Sequence, residues 1–321
     1  MRKYSIIIPV YNRPDEINEL LESLTKQTYR HFEIIVVEDG SKQTCQEIVQ
    51  RFKSQLDIHY FFKENSGQGF SRNYGFARAT GDYMVVFDSD CLIPPHYFEA
   101  VENTLNTQYL DAYGGPDRAH PDFTPVQKAI SYSMTSLFTT GGIRGNKRHV
   151  GVFHPRSFNM GISRQVFEKT GGYIITRMGE DIEFSIRIIN NGFQTGLINE
   201  AYVYHKRRTD FGQFFRQLHF FGRARINIQR FFPKELRLVH TIPALFTLFC
   251  FSLPFVALFS VSLFKWGIYV ILLHTSLVLV DSTIQNKSLK VGILSVVAVF
   301  VQFIGYGIGF LTEGRKRIKE L

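Results

Sequence analysis

Short apolar runs alternate with amphipathic stretches through the first half of the chain. Tyr4 to Val10, Phe32 to Val37, Ile58 to Phe62 and Tyr83 to Phe87 have the length and the β-branched or aromatic content of buried strands. Between them Ile17, Leu20, Leu21 and Leu24, then Ile48, Val49 and Phe52, recur at helical spacing, and Ser71 to Ala79 reads as a third helix stopped by Gly81. This rhythm predicts an α/β fold with a doubly wound parallel sheet. Further on the pattern loosens. A short strand ends in Gly114-Gly115-Pro116, and Phe158 to Ile162 runs into a helix at Ser163 that Gly171-Gly172 breaks. Gly179-Glu180-Asp181 opens a helix with Ile182, Ile186 and Ile189 toward a core and Gly192 at its end, and Tyr202 to His205 is a last strand.

The character changes after residue 209. Phe211, Phe214, Phe215, Leu218 and Phe221 fall at helical spacing among Arg216, Arg223 and Arg225, which suits a helix lying in a bilayer interface with its arginines toward headgroups. Three apolar runs follow. Ile242 to Phe264 and Val291 to Leu311 are long enough to span a bilayer, whereas Trp266 to Val280 is shorter. The expected organisation is a catalytic domain over 1–209, an interfacial helix and linker over 210–240, and a membrane region over 241–321. Basic flanks favour the cytoplasmic side, so the tail Arg315-Lys316-Arg317-Ile318-Lys319 and the catalytic domain are expected on that same side, with an even number of crossings.

The net charge of +9 invites a nucleic-acid reading, but no zinc pattern, basic zipper helix or aromatic RNA-binding signature accompanies it. Anionic lipid headgroups and nucleoside diphosphates are the better partners. Cys45, Cys91 and Cys250 show no paired spacing, which predicts neither a disulfide framework nor a thiolate metal site. Arg2 and Lys3 precede an apolar run too short for a signal peptide, so the first run reads as a strand and the domain as cytoplasmic.

Candidate chemistry gathers at strand ends. Asp88-Ser89-Asp90 closes the fourth apolar run, and in open α/β sheets ligands bind beyond the carboxyl ends of the strands. The oxygens of Asp88 and Asp90 suit Mg²⁺ or Mn²⁺, which completes its shell with water and phosphate. Alone, Asp-x-Asp is also an ordinary turn. Glu38-Asp39-Gly40-Ser41 ends the second run, where Asp39 is either a site acid or a turn acid. Glu180 and Asp181 at a helix start equally favour the helix dipole. The basic segment Gly141 to Val150, with Arg144, Lys147 and Arg148, reads as a mobile loop able to cover a diphosphate or as a solvated surface loop.

In order, the motifs Pro9-Val10-Tyr11-Asn12, Val36-Val37-Glu38-Asp39-Gly40-Ser41, Asn65-x-Gly67 with Ser71-Arg72-Asn73, Asp88-Ser89-Asp90 and Gly179-Glu180-Asp181 resemble the family 2 glycosyltransferases of GT-A fold, over about residues 4 to 225. Within that family the chain looks most like membrane-attached bacterial enzymes of surface-glycan or exopolysaccharide biosynthesis. The resemblance implies an inverting, metal-dependent transfer from a nucleotide-diphosphate sugar, a UDP-sugar being favoured, to a lipid-linked acceptor at the inner membrane. It also implies that Pro9, Tyr11 and Asp39 shape the nucleotide pocket with Arg72 beside it. Asp88 would lie near the ribose and metal, Asp90 would be the main metal ligand and Asp181 the general base, while His205 lies where some relatives place a third ligand and reads equally as a hydrogen-bonded structural residue. Gln217 to Arg223 departs from the Gln-x-x-Arg-Trp motif of processive synthases, which favours single-sugar transfer. The alternatives are a nucleotidyltransferase, disfavoured by the lack of a Gly-rich, Lys-containing loop near residue 10, and a non-catalytic membrane scaffold of the same fold.

Overall fold

A computed structural model describes residues 1–140 and 153–318 of the 321. The segment Gly141 to Val150 and Lys319 of the basic tail lie outside the described residues. In chain order the elements are β1 (Tyr4–Val10), α1 (Pro14–Thr25), β2 (Phe32–Asp39), α2 (Gln46–Phe52), β3 (Ile58–Lys63), α3 (Gln68–Phe76), β4 (Tyr83–Phe87), β5 (Cys91–Leu92), α4 (Tyr97–Thr107), β6 (Ala112–Gly114), β7 (Asp117–Arg118), α5 (Pro125–Thr135), α6 (Leu137–Thr140), β8 (Asn159–Ser163), α7 (Arg164–Thr170), α8 (Glu180–Asn190), β9 (Thr195–Leu197), β10 (Val203–His205), α9 (Phe211–Phe231), α10 (Ile242–Phe259), α11 (Val261–Asn286) and α12 (Leu289–Ile318).

Seven strands form the main sheet in the order β3-β2-β1-β4-β8-β6-β9. The β1, β2, β3 and β4 neighbours pair in parallel, as the alternation with helices demands. β8 is the exception. It runs antiparallel to both β4 and β6, so the sheet is mostly rather than wholly parallel. The reversal has a local consequence, because Asn159 pairs with Phe87 and the segment before β8 therefore arrives at the end of β4 that carries the acids.

Alternation along the strands fills both faces. Ile6, Ile8, Ile34, Val36 and Val85 pack with Leu20, Leu21, Phe98 and Val101 on one side. Ile7, Ile35, Val37 and Val86 pack with Phe76, Phe184 and Ile188 on the other. The buried face of α8 thus centres on Phe184 and Ile188 with Ile186, while Ile182 and Ile189, expected in the core, are only half-buried. A small second sheet joins β5, β10 and β7, with His205 opposite Cys91 in the antiparallel β5–β10 pair.

The described residues divide into two compact units. One contains Met1–His120 and the described residues up to Lys206, the other residues 121–140 and 207–318. α5, which the hydrophobic pattern did not announce, starts with a reciprocal Thr124–Gln127 capping box and belongs to the second unit. There Ala129 and Ile130 pack with Phe214 and Leu218 of α9 and with Val291 and Ala298 of α12. The helix expected at a lipid interface therefore forms, but Phe214 and Leu218 are buried by protein. α10, α11 and α12 are all long and apolar enough to cross a membrane. α11 exceeds the short run read from the sequence because Lys265 sits inside the helix instead of ending it.

Candidate active site

The site is built where β1, β2 and β4 end. Asp39 is the last residue of β2 and is buried, so its carboxylate needs partners. It accepts hydrogen bonds from Lys63 Nζ at the end of β3, from Ser66 N at 2.9 Å and from Gly67 N at 2.9 Å. Burial alone would raise its pKa, but the Lys63 ammonium and these N–H groups prevail and hold it below the usual carboxylate range. Gly67 has φ of +88°, and a Cβ there would stand 2.3 Å from Thr176 Oγ1, so the turn that grips Asp39 requires glycine. Next to it Pro9 is half-buried, and Tyr11 is 52% exposed, which leaves its ring free to cover a planar base.

From that turn α3 carries Arg72 inward. The side chain is 1% exposed and acts as a bridge. Nη2 donates to Asp88 Oδ1 at 2.9 Å, Nη1 lies 3.4 Å from Glu180 Oε1, and the guanidinium stands 5.4 Å from the centroid of the Tyr173 ring. Gln68 also donates to Glu180. Burial and the neighbouring Asp181 push the Glu180 carboxyl up against the pull of Arg72. Asp181 behaves oppositely. Burial opposes ionisation, but Arg156 Nη1 donates to Oδ2 at 3.1 Å, Ile182 N donates to Oδ1 at 2.8 Å, and its pKa is lowered.

Asp90 begins a second group. Its Oδ2 accepts from Arg13 Nη1 at 3.0 Å, and its Oδ1 lies 3.0 Å from His205 Nε2. The Phe158 ring stacks on the imidazole at 5.2 Å and fixes its plane. Two donors of one octahedral ion, each at about 2.1 Å in adjacent positions, stand about 3.0 Å apart. The Asp90–His205 pair therefore fits a shared divalent cation, and the O and N donor set suits Mn²⁺ or Mg²⁺. Cys91 joins the group, its Sγ within 4.8 Å of the Asp90 and His205 ligand atoms. Residue spacing could not show this, because the sheet pairing alone brings Cys91 against His205.

The expected residues thus fall into three sets. Asp39 stands with Lys63 and the Gly67 turn; Asp88, Arg72 and Glu180 form one run of contacts, with Asp181 next in the chain on Arg156; Asp90 pairs with both Arg13 and His205. α3 links the first two, holding Asp39 through Gly67 N and Asp88 through Arg72. A concavity lined by Leu110, Phe153, Ile189 and Phe193 lies elsewhere and contains none of these acids. Lys63, Arg13 and Arg156 were missed by the sequence reading. Lys63 carried a signal as the residue just past an apolar run, Arg13 follows the Pro9-Val10-Tyr11-Asn12 motif directly, and Arg156 had none.

Comparison with known proteins agrees with this architecture. The model of the "Glycosyl transferase family 2" matches residues 5–171. An uncharacterized glycosyltransferase of Haemophilus influenzae is 30% identical over 214 residues, covering 64% of this chain and 69% of that protein. The glycosyltransferase AglE of Haloferax volcanii is 26% identical over 233 residues, covering 70% and 73%. Uncharacterized glycosyltransferases of Rickettsia species match at 41–42% identity, but the match spans only 13 to 31% of their own length. Among solved structures, the mannosyltransferase PcManGT of Pyrobaculum calidifontis, in complex with GDP-Man and Mn²⁺, superposes with a TM-score of 0.55 at 19% identity, covering 71% of this chain and 64% of that one. TarS 1–349 of S. aureus, in complex with UDP-GlcNAc, gives 0.50 at 19%, covering 70% and 67%. At these identities the likeness concerns the fold, a GT-A-like domain with a mostly parallel sheet. Family model and relatives together place the chain in glycosyl transferase family 2.

Proposed function

We propose that the protein is a membrane-bound, inverting glycosyltransferase that moves one sugar from a nucleoside-diphosphate sugar, UDP-sugars being favoured, to a hydroxyl of a lipid-linked glycan at the cytoplasmic face of the inner membrane. The observation that carries this reading is the run of contacts from Asp88 through Arg72 to Glu180, with Asp181 the next residue of the chain and paired with Arg156. It fixes a strand-end acid suited to the donor side relative to an ionised acid suited to the acceptor side. The solved relatives of this fold that hold GDP-Man with Mn²⁺ and UDP-GlcNAc support the donor class.

Pro9, Tyr11 and Asp39 receive the nucleotide base, and Asp88 meets the ribose. Asp90 and His205, with Asp88 two positions earlier in the chain, would hold Mn²⁺ or Mg²⁺, which when bound supplies positive charge to the departing diphosphate. Arg72 keeps Asp88 and Glu180 in register from inside the protein. Asp181 takes the proton of the acceptor hydroxyl as that oxygen bonds to the anomeric carbon and the carbon's bond to the diphosphate oxygen breaks. Exposed apolar side chains on α10 and α11, among them Phe251, Phe255, Leu258, Phe259 and Trp266, support a membrane anchor that brings the site to lipid-borne acceptors.

The test is a screen of the purified protein in detergent with Mn²⁺ against nucleotide sugars, scored by release of nucleoside diphosphate. Asp181→Asn is expected to keep nucleotide binding and to lose about 10²- to 10⁴-fold in transfer rate. Equal loss of donor binding would remove Asp181 from the base role.

A further inference from the structure

Cys91 is fully buried in the core that packs on β1, β2 and β4, and it also lies against two polar side chains. It is paired with His205 across β5 and β10, and it follows Asp90 directly. Its Sγ and the nearest ligand atoms of Asp90 and His205 all lie within 4.8 Å of one another. Its thiol points at the Phe158 carbonyl at 3.6 Å, on the residue whose ring stacks on His205. Side chains from a turn, one strand and its cross-strand neighbour thus converge on one point with oxygen, sulfur and nitrogen donors.

We propose that Asp90, Cys91 and His205 form a three-donor site for a thiophilic divalent ion of the Zn²⁺ or Co²⁺ class. The proposal rests on Asp90 and His205 being metal ligands, as in the function proposed above. Hard Mg²⁺ and Mn²⁺ are satisfied by oxygen and nitrogen and gain little from sulfur, whereas Zn²⁺ takes thiolate, imidazole and carboxylate together at about 2.0 to 2.3 Å in a tetrahedral shell. On binding, the Cys91 thiol gives its proton to solvent and the sulfur bonds the metal, with no change of oxidation state. The consequence is selectivity. A thiophilic ion draws on one more protein donor than Mn²⁺ does, competes with it for Asp90 and His205, and acts as an inhibitor of a Mn²⁺-supported reaction.

Co²⁺ titration of the full-length protein in detergent tests this, because thiolate ligation gives an ultraviolet sulfur-to-cobalt charge-transfer band that oxygen and nitrogen ligands do not. The band is expected in the wild type and in the Cys45→Ala/Cys250→Ala double variant, where Cys91 is the only thiol. It is expected to vanish in Cys91→Ser and Cys91→Ala, each checked for folding by its circular dichroism and its thermal unfolding. In competition against a chromogenic chelator, Cys91→Ser is expected to weaken Zn²⁺ binding at least about tenfold, with Mn²⁺ binding much less affected. Co²⁺ uptake without the band, or a band that survives in folded Cys91→Ser, overturns the sulfur ligand alone. Absence of any Co²⁺ uptake overturns it together with the metal role of Asp90 and His205.

Discussion

Arg156 stands 25 positions before Asp181, and no local pattern connects them. The antiparallel β8 does, by bringing the segment before Asn159 to the acid end of β4. Asn159 is fully buried and anchored by Tyr97 Oη at 2.5 Å and Ala201 O at 2.8 Å, while Ser185 Oγ of α8 donates to Pro155 O at 2.5 Å. Arg156 is therefore held from both sides. Since Asp181 must be ionised to accept a proton, and Arg156 lowers its pKa, the acidic limb of the pH–rate profile is expected below the ordinary carboxylate range. Arg156→Gln removes the stabilising cation, so that limb moves to higher pH, as a profile of kcat carried from about pH 2.5 to about pH 8 would show. A limb that stays put would remove Arg156 from this role. Asp39 supports a second expectation. Its folded pKa is depressed, so its contribution to stability is present above the unfolded value of about 3.9 and is lost as pH falls through the lower folded value. Asp39→Ala strands the buried Gly67 N–H and the Lys63 ammonium and is expected to cost about 3 kcal/mol at neutral pH in chemical denaturation, with a smaller deficit in acid.

At the scale of elements, α9 and α12 come together along a line of small residues. Phe215 meets Gly305, His219 meets Gly309, and Gly222 meets Tyr306. A Cβ at Gly222 would stand 2.1 Å from Tyr306 O, and one at Gly309 would stand 2.1 Å from His219 O. Glycine here permits contact of backbones, as between membrane helices. Gly222→Leu is expected to force the helices apart and destabilise the second unit by about 1 to 3 kcal/mol, read as a lower unfolding temperature in detergent. Unchanged stability would mean that the two helices separate freely. The same packing buries two members of the aromatic stripe of α9 against protein. Phe214 and Leu218 have the spacing of a lipid-facing helix, and spacing does not tell lipid from another apolar helix.

For the molecule as a whole, the partner residues of α9 and α12 advance together. Further along, Arg223 Nε pairs with Glu313 Oε2 at 2.9 Å, and Arg317 Nη1 donates to Gln229 Oε1 at 2.8 Å. The two helices are therefore parallel, and the basic end of α12 lies beside the arginine-bearing helix that follows Lys206 directly in the chain. The tail therefore lies beside the carboxyl-terminal end of α9, and, because basic flanks favour the cytoplasmic side, an even number of crossings is expected. A fluorescent protein that matures only in the cytoplasm, fused to the carboxyl terminus, is expected to light up, and a periplasm-dependent phosphatase at the same position to stay inactive. The opposite pair of results would mean three full crossings.

The order of strands and helices, the acids at strand ends and the apolar carboxyl-terminal third were all legible in the sequence, because each depends on periodicity or composition over a few neighbouring residues. Asp39, Asp88 and Asp90 stand at strand ends, where this pattern put them. What the tertiary structure alone decided was pairing over distance: the reversed β8, the burial of Arg72 as a bridge between Asp88 and Glu180, the attachment of Arg156 to Asp181, the covering of α9 by α12, and the meeting of Cys91 with His205. The physical reason is that local pattern fixes which face of an element is apolar, whereas partners far apart in the chain are chosen by the closure of the whole sheet and bundle.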